Sequence, residues 1–583
     1  RIPSHRVLPV QVKAEARDIS VKVESADDVM ALVVRSAAAY QPLADQVAAV
    51  YFALIALSKV HALYQYSLAF FLDIFDSVLA TAGRAAAAGG GGGSGGDADA
   101  PPLDGVSPRQ LQELEQAFFD AVARRVLPGL RHDDRLALSL CLVRIRCAVD
   151  DVGLPSGSLW DALLDDDDDR CAAALEAHGA SARSQRSQHL PERAGGGEPR
   201  GPPLQELLRS RLFHPEQLVA AAERLVAVAL RPPLEVAAAV PDLASIVAES
   251  AASRFPLLLC ASAGHDPSPH VDVLAALQKA PCLTLAMGSA TGCVDAERAI
   301  RAASRRGGWV LLKNVHLVPA WLPALEKLLH ALHAPHPPRP PGGSQPDELH
   351  QSFRLFLTME IADITPLPVA LLALCCTLVY EPPVGMRANL LCSLEAAAPR
   401  MQRAPRERAR LHLQLAWTHA LIVERQAFVP VGWSKAYAFG AADLSYAQDM
   451  LDRVVDVAAA GRGNLPPEKM PCSALCVLLA ECAYGGRVDF EADRRLMGSL
   501  IATAFAPEAF ELGHRLAEGV VPPEGAAADD ILHWARGLAE PARRTAWLGI
   551  PADAEEQRLH ARAAQLLQHL RVLGSQTQRF ALG

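Results

Sequence analysis

The sequence predicts an α/β plus all-α chain: a parallel sheet flanked by helices, preceded by one helical segment and followed by another. Two observations carry this reading. Between residues 256 and 380 five short apolar runs alternate with amphipathic stretches, and outside that block apolar residues recur mainly at spacings of three and four. The runs are Pro256–Ala261, Leu283–Met287, Trp309–Leu312, Phe353–Met359 and Thr377–Tyr380, and helices are expected at Val271–Lys279, Asp295–Arg306 and Trp321–Leu332. Such alternation implies a sheet covered on both faces, with its ligand crevice beyond the carboxyl ends of the strands.

A chain of 583 residues holds roughly three or four compact units. Its net charge of −9 argues against nucleic acid, an anionic membrane or an acidic microtubule surface as a partner, since each calls for a basic patch. Twelve cysteines with no C-x-x-C pair read as core thiols in a reducing cytosol, not as a disulfide framework. No basic and apolar leader opens the chain, and its longest apolar run, Val369–Tyr380, is too short to cross a bilayer. The first residue is Arg1, which suggests a piece of a longer polypeptide.

Taken in order, residues 18–78 carry a helical pattern, with Val47, Val50, Tyr51 and Leu54 continued by Tyr64, Leu68, Phe71, Leu72 and Phe75 as a core stripe. Residues 80–105, almost pure alanine and glycine and then acidic with proline, read as a disordered insertion. Helical periodicity resumes from Pro108 to Ala148, with Leu111, Leu114, Phe118, Val122 and Val126 on one face. A second disordered insertion is expected at 156–203, including the aspartate run 165–169, which lacks the alternating ligands of a calcium loop and reads as a solvated charge block. Helices at 204–229 and 242–253 lead into the sheet, and a third insertion interrupts it at 334–351. His330, His333 and His336 share a spacing of three, but the neighbouring prolines break any helix that would gather them around a metal. After Leu394 helices run to the end: one through Leu411, Leu415 and Ile422, one through Leu444, Ala447, Leu451 and Val454, one over 472–484, and one over 490–505 capped by Asp489.

The crevice carries the position of a nucleotide site without its chemistry. A phosphate loop needs glycines for close backbone approach, a lysine for the phosphates and a hydroxyl for magnesium. Counted from Gly264, Pro269 stands at the glycine position, His270 at the lysine position and Val271 at the hydroxyl position. Hydrolysis also needs an acidic pair at the end of the central strand, where this chain has Lys313 and Asn314. Thr358, at the end of the next strand, is placed to orient a polar group. No nucleophile elbow, no H-E-x-x-H and no G-x-G-x-x-G after a strand occurs elsewhere. Catalytic residues, a bound cofactor and a metal are therefore not expected in this segment.

Several stretches resemble the C-terminal part of a dynein heavy chain motor. They are Leu63-Tyr64-Gln65-Tyr66-Ser67-Leu68, residues 259–268, Trp309-Val310-Leu311-Leu312-Lys313-Asn314-Val315-His316-Leu317, residues 353–361, residues 381–390, Gly432-Trp433-Ser434-Lys435, residues 484–489 and Trp547-Leu548-Gly549-Ile550-Pro551. The resemblance implies that 1–155 is the end of a fifth AAA+ module and its linker, 204–394 the large subdomain of a sixth, 395–555 its helical lid and 556–583 the start of a C-terminal region. It implies an AAA+ type sheet in a non-hydrolysing module that completes a motor ring and relays conformational change. Minus-end-directed movement on microtubules, ATP and magnesium would belong to the parent motor. Expected partners are the rest of the ring and, through regions absent here, dynein intermediate, light intermediate and light chains and microtubules, in the cytoplasm or at a cilium. The Lys-Asn-Val-His form at 313–316 looks more like the cytoplasmic heavy chain than its axonemal or intraflagellar counterparts. A stand-alone non-catalytic scaffold is the alternative from another class.

Overall fold

The computed structural model describes residues 26–89, 108–147, 157–177, 203–230, 242–249, 255–333, 349–510 and 513–581, apart from 263, 364–366, 524–526 and 542. Two compact units emerge, one of Arg1–Ala49 with Ile74–Ala121 and one of Val50–Asp73 with Val122–Gly583.

The helices before the sheet are α1 (Ala26–Ala56), α2 (Leu68–Gly89), α3 (Pro108–Val126), α4 (His132–Cys147), α5 (Gly157–Leu164), α6 (Asp168–Ala177), α7 (Pro203–Phe213), α8 (Leu218–Ala229) and α9 (Leu243–Glu249). In the first unit Phe75 meets Phe118 edge-on at 6.0 Å, and Gln46 donates to Glu115 at 3.3 Å. The stripe read over 18–78 is corrected: residues 18–25 lie outside the described residues, and the helix breaks after Ala56 into a short 3₁₀ turn before α2. Ser67 Oγ accepts the Phe70 N–H at 3.2 Å and restarts the helix in a new phase. Phe71, Ile74 and Val78 are therefore buried, while Leu68 and Leu72 are about half exposed (51% and 46%). The stretch Tyr40–Lys59 is long and apolar enough to cross a membrane by length and composition. Its Val50, Ala53, Leu54 and Leu57 are fully buried inside the protein, as in a core helix.

Two expected insertions are corrected in part. Residues 80–89 continue α2, because alanine is the best helix former and costs no side-chain entropy; 90–107 lie outside the described residues. Within 156–203, α5 and α6 are formed and bury Leu159, Leu163, Cys171 and Leu175. The aspartate run opens α6, where Asp168 and Asp169 face the positive end of the helix dipole. Arg170, Arg211 and Arg571 pair with Asp165, Asp168 and Asp166, so the run is a helix start with basic partners. Residues 178–202 and 334–348 lie outside the described residues, whereas His350, inside the third expected insertion, donates its N–H to Ser304 O at 2.9 Å.

All five expected strands form: β1 (Leu257–Ala261), β2 (Cys282–Ala286), β3 (Trp309–Lys313), β4 (Arg354–Glu360) and β5 (Cys376–Tyr380), parallel and in the order β2-β3-β4-β1-β5. The helices between them are α10 (Ser268–Gln278), α11 (Ala290–Arg306), α12 (Leu322–His333) and α13 (Val369–Leu374). Val271, Leu259, Leu311, Phe356 and Leu378 form one core. Cover on both faces fails at β2, an edge strand whose residues are half-buried or exposed. His330 lies in α12, His333 ends it and His336 is outside the described residues; among those described no cluster of metal-ligating side chains occurs.

After the sheet come α14 (Met386–Met401), α15 (Arg408–Arg425), α16 (Ala441–Ala459), α17 (Cys472–Val477), α18 (Glu491–Ala504), α19 (Ala528–Arg536), α20 (Thr545–Leu548) and α21 (Ala552–Ala581), those from α15 to α20 lying in the stretch expected to be the lid. Nearly every residue of α15 is buried, so it forms the axis of two apolar clusters. The helix expected over 472–484 changes to π geometry at Leu478–Ala483. Asp489 does not cap α18: Phe490 holds that place, and Asp489 pairs with Lys435. The buried carboxylate there is Asp493, which accepts from the Ser434 N–H at 3.1 Å and the Tyr437 hydroxyl at 2.8 Å.

Candidate functional site

The crevice at the carboxyl ends of the strands is built from the loop after β1, the ends of β3 and β4, and the lid. Ser262 donates its N–H to Tyr380 O at 3.1 Å, and His265 donates to Ser262 O at 3.0 Å, which folds the loop back on itself. Gly264 has φ +84°, a conformation that disfavours side chains. It lies against Gly440, where an added Cβ would come within 2.7 Å of the Gly264 carbonyl carbon. The loop and the lid thus meet backbone to backbone.

The start of α10 is occupied by the chain itself. Asp266 Oδ1 accepts the Ser268 N–H at 2.9 Å, Pro269 has no N–H, and the His270 N–H donates to Pro267 O at 3.2 Å. The donors that a helix N-terminus would turn toward a phosphate are therefore a carboxylate cap, a missing group and a turn bond. The His270 ring stacks on Tyr380 at 5.4 Å and 26°, and Val271 is fully buried in the sheet core.

At the end of β3, the half-buried Lys313 Nζ lies 3.8 Å from the exposed Asp266 Oδ2, a long and solvent-screened and therefore weak pair. Asn314 adopts the left-handed conformation at φ +58° and donates its N–H to Thr358 Oγ1 at 3.0 Å. Thr358 is 2% exposed, so its hydroxyl holds the strand-end turn in place. The structure thus brings Gly264, Pro269, His270, Lys313, Asn314 and Thr358 to one crevice and turns Val271 into the core.

Sequence reasoning missed two parts of the crevice. Asp266 had a readable signal, an aspartate two residues before a helix start, where its carboxylate reaches back to a main-chain N–H. The lid wall had none, because Gly440 and His419 come from distant elements. A cavity of about 240 Å³ lies at this seam, lined among others by His265, Pro382, Asn389, His419 and Gln448. Burial, with the neighbouring His270, pushes the His265 pKa down, and burial with His265 pushes His419 down to about 3. Both rings are neutral at pH 7, and His419 Nδ1 lies 3.1 Å from the Tyr484 hydroxyl. Arg400, also on the wall, is engaged by Asp449 and Asp452.

The linker from β5 to α14 is held by three carboxylates. Glu381 accepts the His132 N–H at 2.7 Å, Glu424 accepts the Gly385 N–H at 2.6 Å and Asn389 Nδ2 at 2.9 Å, and Glu540 accepts the Arg387 N–H at 3.1 Å.

Comparison with known proteins yields two family matches. Residues 252–379 match the dynein heavy chain region D6 P-loop domain, and residues 408–554 match the dynein heavy chain AAA lid domain. The chain is 35% identical over 614 residues to a cytoplasmic dynein heavy chain of Drosophila melanogaster, covering 96% of this chain and 12% of that protein. It is 32% identical over 612 residues to the Caenorhabditis elegans counterpart, covering 96% and 13%. It is 27% identical over 510 residues to cytoplasmic dynein 2 heavy chain 1 of Chlamydomonas reinhardtii, covering 80% and 10%. The chain therefore spans about an eighth of the length of the first two relatives.

Proposed function

Because this chain belongs to the dynein heavy chain family, we propose that it is a non-hydrolysing AAA+ module and lid of a cytoplasmic-type motor ring, which completes the ring and relays motion driven by ATP hydrolysis elsewhere. The parent motor would use ATP and magnesium to move on microtubules in the cytoplasm, with the accessory chains and the microtubule held through other regions. In this reading 204–394 is the large subdomain, 395–555 its lid, 1–155 the end of the preceding module and 556–583 the start of the C-terminal region.

The observation that carries the reading is the occupied helix start. Asp266 puts a carboxylate on the donor a phosphate would need, Lys313 pairs with that carboxylate, and no acidic pair ends β3. A triphosphate would meet repulsion there and find no metal ligand opposite. Support for the relay comes from the linker after β5, whose Glu381 holds the start of α4 and whose Gly385, with Arg387 beyond it, is held by Glu424 and Glu540 from the later helical region.

Equilibrium dialysis of the chain with labelled ATP and magnesium tests this. No saturable binding is expected, and micromolar binding would overturn the reading. A chain carrying P269G, H270K and V271T should remain silent until D266A is added, because the cap must leave before a phosphate can enter.

A further inference from the structure

The net charge of −9 conceals a basic stripe on the open edge of the sheet. On α11, Arg298, Arg301 and Arg305 are exposed and spaced by three and four, and Arg306 is exposed beside them. Arg298 pairs with Asp295 at 2.9 Å, whereas Arg301, Arg306 and the nearby Lys279 have no ion pair among the described residues. Below the stripe runs a groove of about 330 Å³ between α11 and the start of β2 and β3, lined by Leu283, Ala299, Ala302, Arg306, Gly308 and Val310.

Among the described residues, β2, the strand beside this groove, pairs only with β3, and its outer main-chain groups face away from the sheet. Cys282-Leu283-Thr284-Leu285-Ala286 contains no charge and no proline, two devices that keep an edge from recruiting another strand, and Leu283 is 50% exposed. An apolar groove, a bare edge and a row of cations lie together.

We infer that the β2 edge and the outer face of α11 form a docking surface for an extended, acidic segment of a partner protein, with alternating apolar and carboxylate side chains. Main-chain pairing with β2 supplies affinity, apolar side chains fill the groove, and carboxylates meet Arg301 and Arg306 as charge-assisted pairs. The charge of the stripe selects an acidic occupant over a basic one.

The probe is a fluorescein-labelled peptide of alternating glutamate and valine, added to the whole chain and followed by anisotropy. Saturable binding is expected, weakened about tenfold or more by R301E/R306E and by L283K, with thermal melts unchanged because all three side chains are exposed. A lysine and valine counterpart should not bind. Equal binding of a glutamate and serine peptide would reduce the effect to ion exchange and overturn the proposal. Unchanged affinity in both variants, preference for phosphatidylserine vesicles, or a dimer dispersed by L283K would overturn it too, the last by giving the edge to a second copy.

Discussion

Two buried carboxylates of the lid respond to pH with opposite sign. Burial pushes Asp452 up, but His412, Arg408 and Arg400 outweigh it and hold the carboxyl well below the usual range. Its contribution is present above the unfolded carboxylate pKa and lost as pH falls through the depressed one. Asp452→Asn should cost about 3 kcal/mol at pH 7, since it breaks a buried pair. The gap between variant and wild type in urea titrations should narrow below about pH 4. Glu424 differs: burial raises its pKa, against the Gly385 N–H and the arginines at 544 and 558. A raised carboxylate loses stability as pH climbs through its folded value. Glu424→Gln should therefore gain on the wild type between acid and neutral pH, a trend the same titrations would read. A flat difference for either residue would contradict its assignment.

Packing at element ends decides what the sequence could not. Truncating Leu566 on the buried face of α21 should cost about 3 kcal/mol, whereas Leu283→Ala on the open edge should cost under about 1 kcal/mol; chemical denaturation compares them. The strands were legible because Leu257–Ala261 and Trp309–Leu312 are continuous apolar runs, too short for a buried helix and bounded by breakers, as strands of a sheet interior are. The departure of Pro269 and His270 from the phosphate-loop spacing was legible too, since local sequence alone states that spacing rule. The extent of α2 was not, because alanine reads as low complexity when placed beside glycine. Asp489 was misassigned because a local capping rule cannot see Lys435 arriving from 54 residues away. Similarly, the basic stripe on α11 vanishes into a total charge, and only the folded helix collects its arginines on one side.

At the scale of the whole molecule, the chain divides into two compact units, and calorimetry is expected to resolve more than one transition. Phe118→Ala should lower only the transition of the smaller unit, and Leu413→Ala only that of the larger, each by about 3 kcal/mol. Both variants shifting a single peak would refute independent unfolding. Within the larger unit, the contact of Gly264 with Gly440 has a mechanical meaning. In a module that opens and closes around a nucleotide, the seam between sheet and lid is compliant, and each cycle spends displacement there. Here main chain rests on main chain with no room for a methyl group, and the linker beside it is pinned by carboxylates. In the proposed relay such a seam would act as a stiff spring in series with softer ones, passing a push from one side to the other with little lost to strain. Gly440→Ala would wedge the seam apart and turn a rigid coupling into a lossy one.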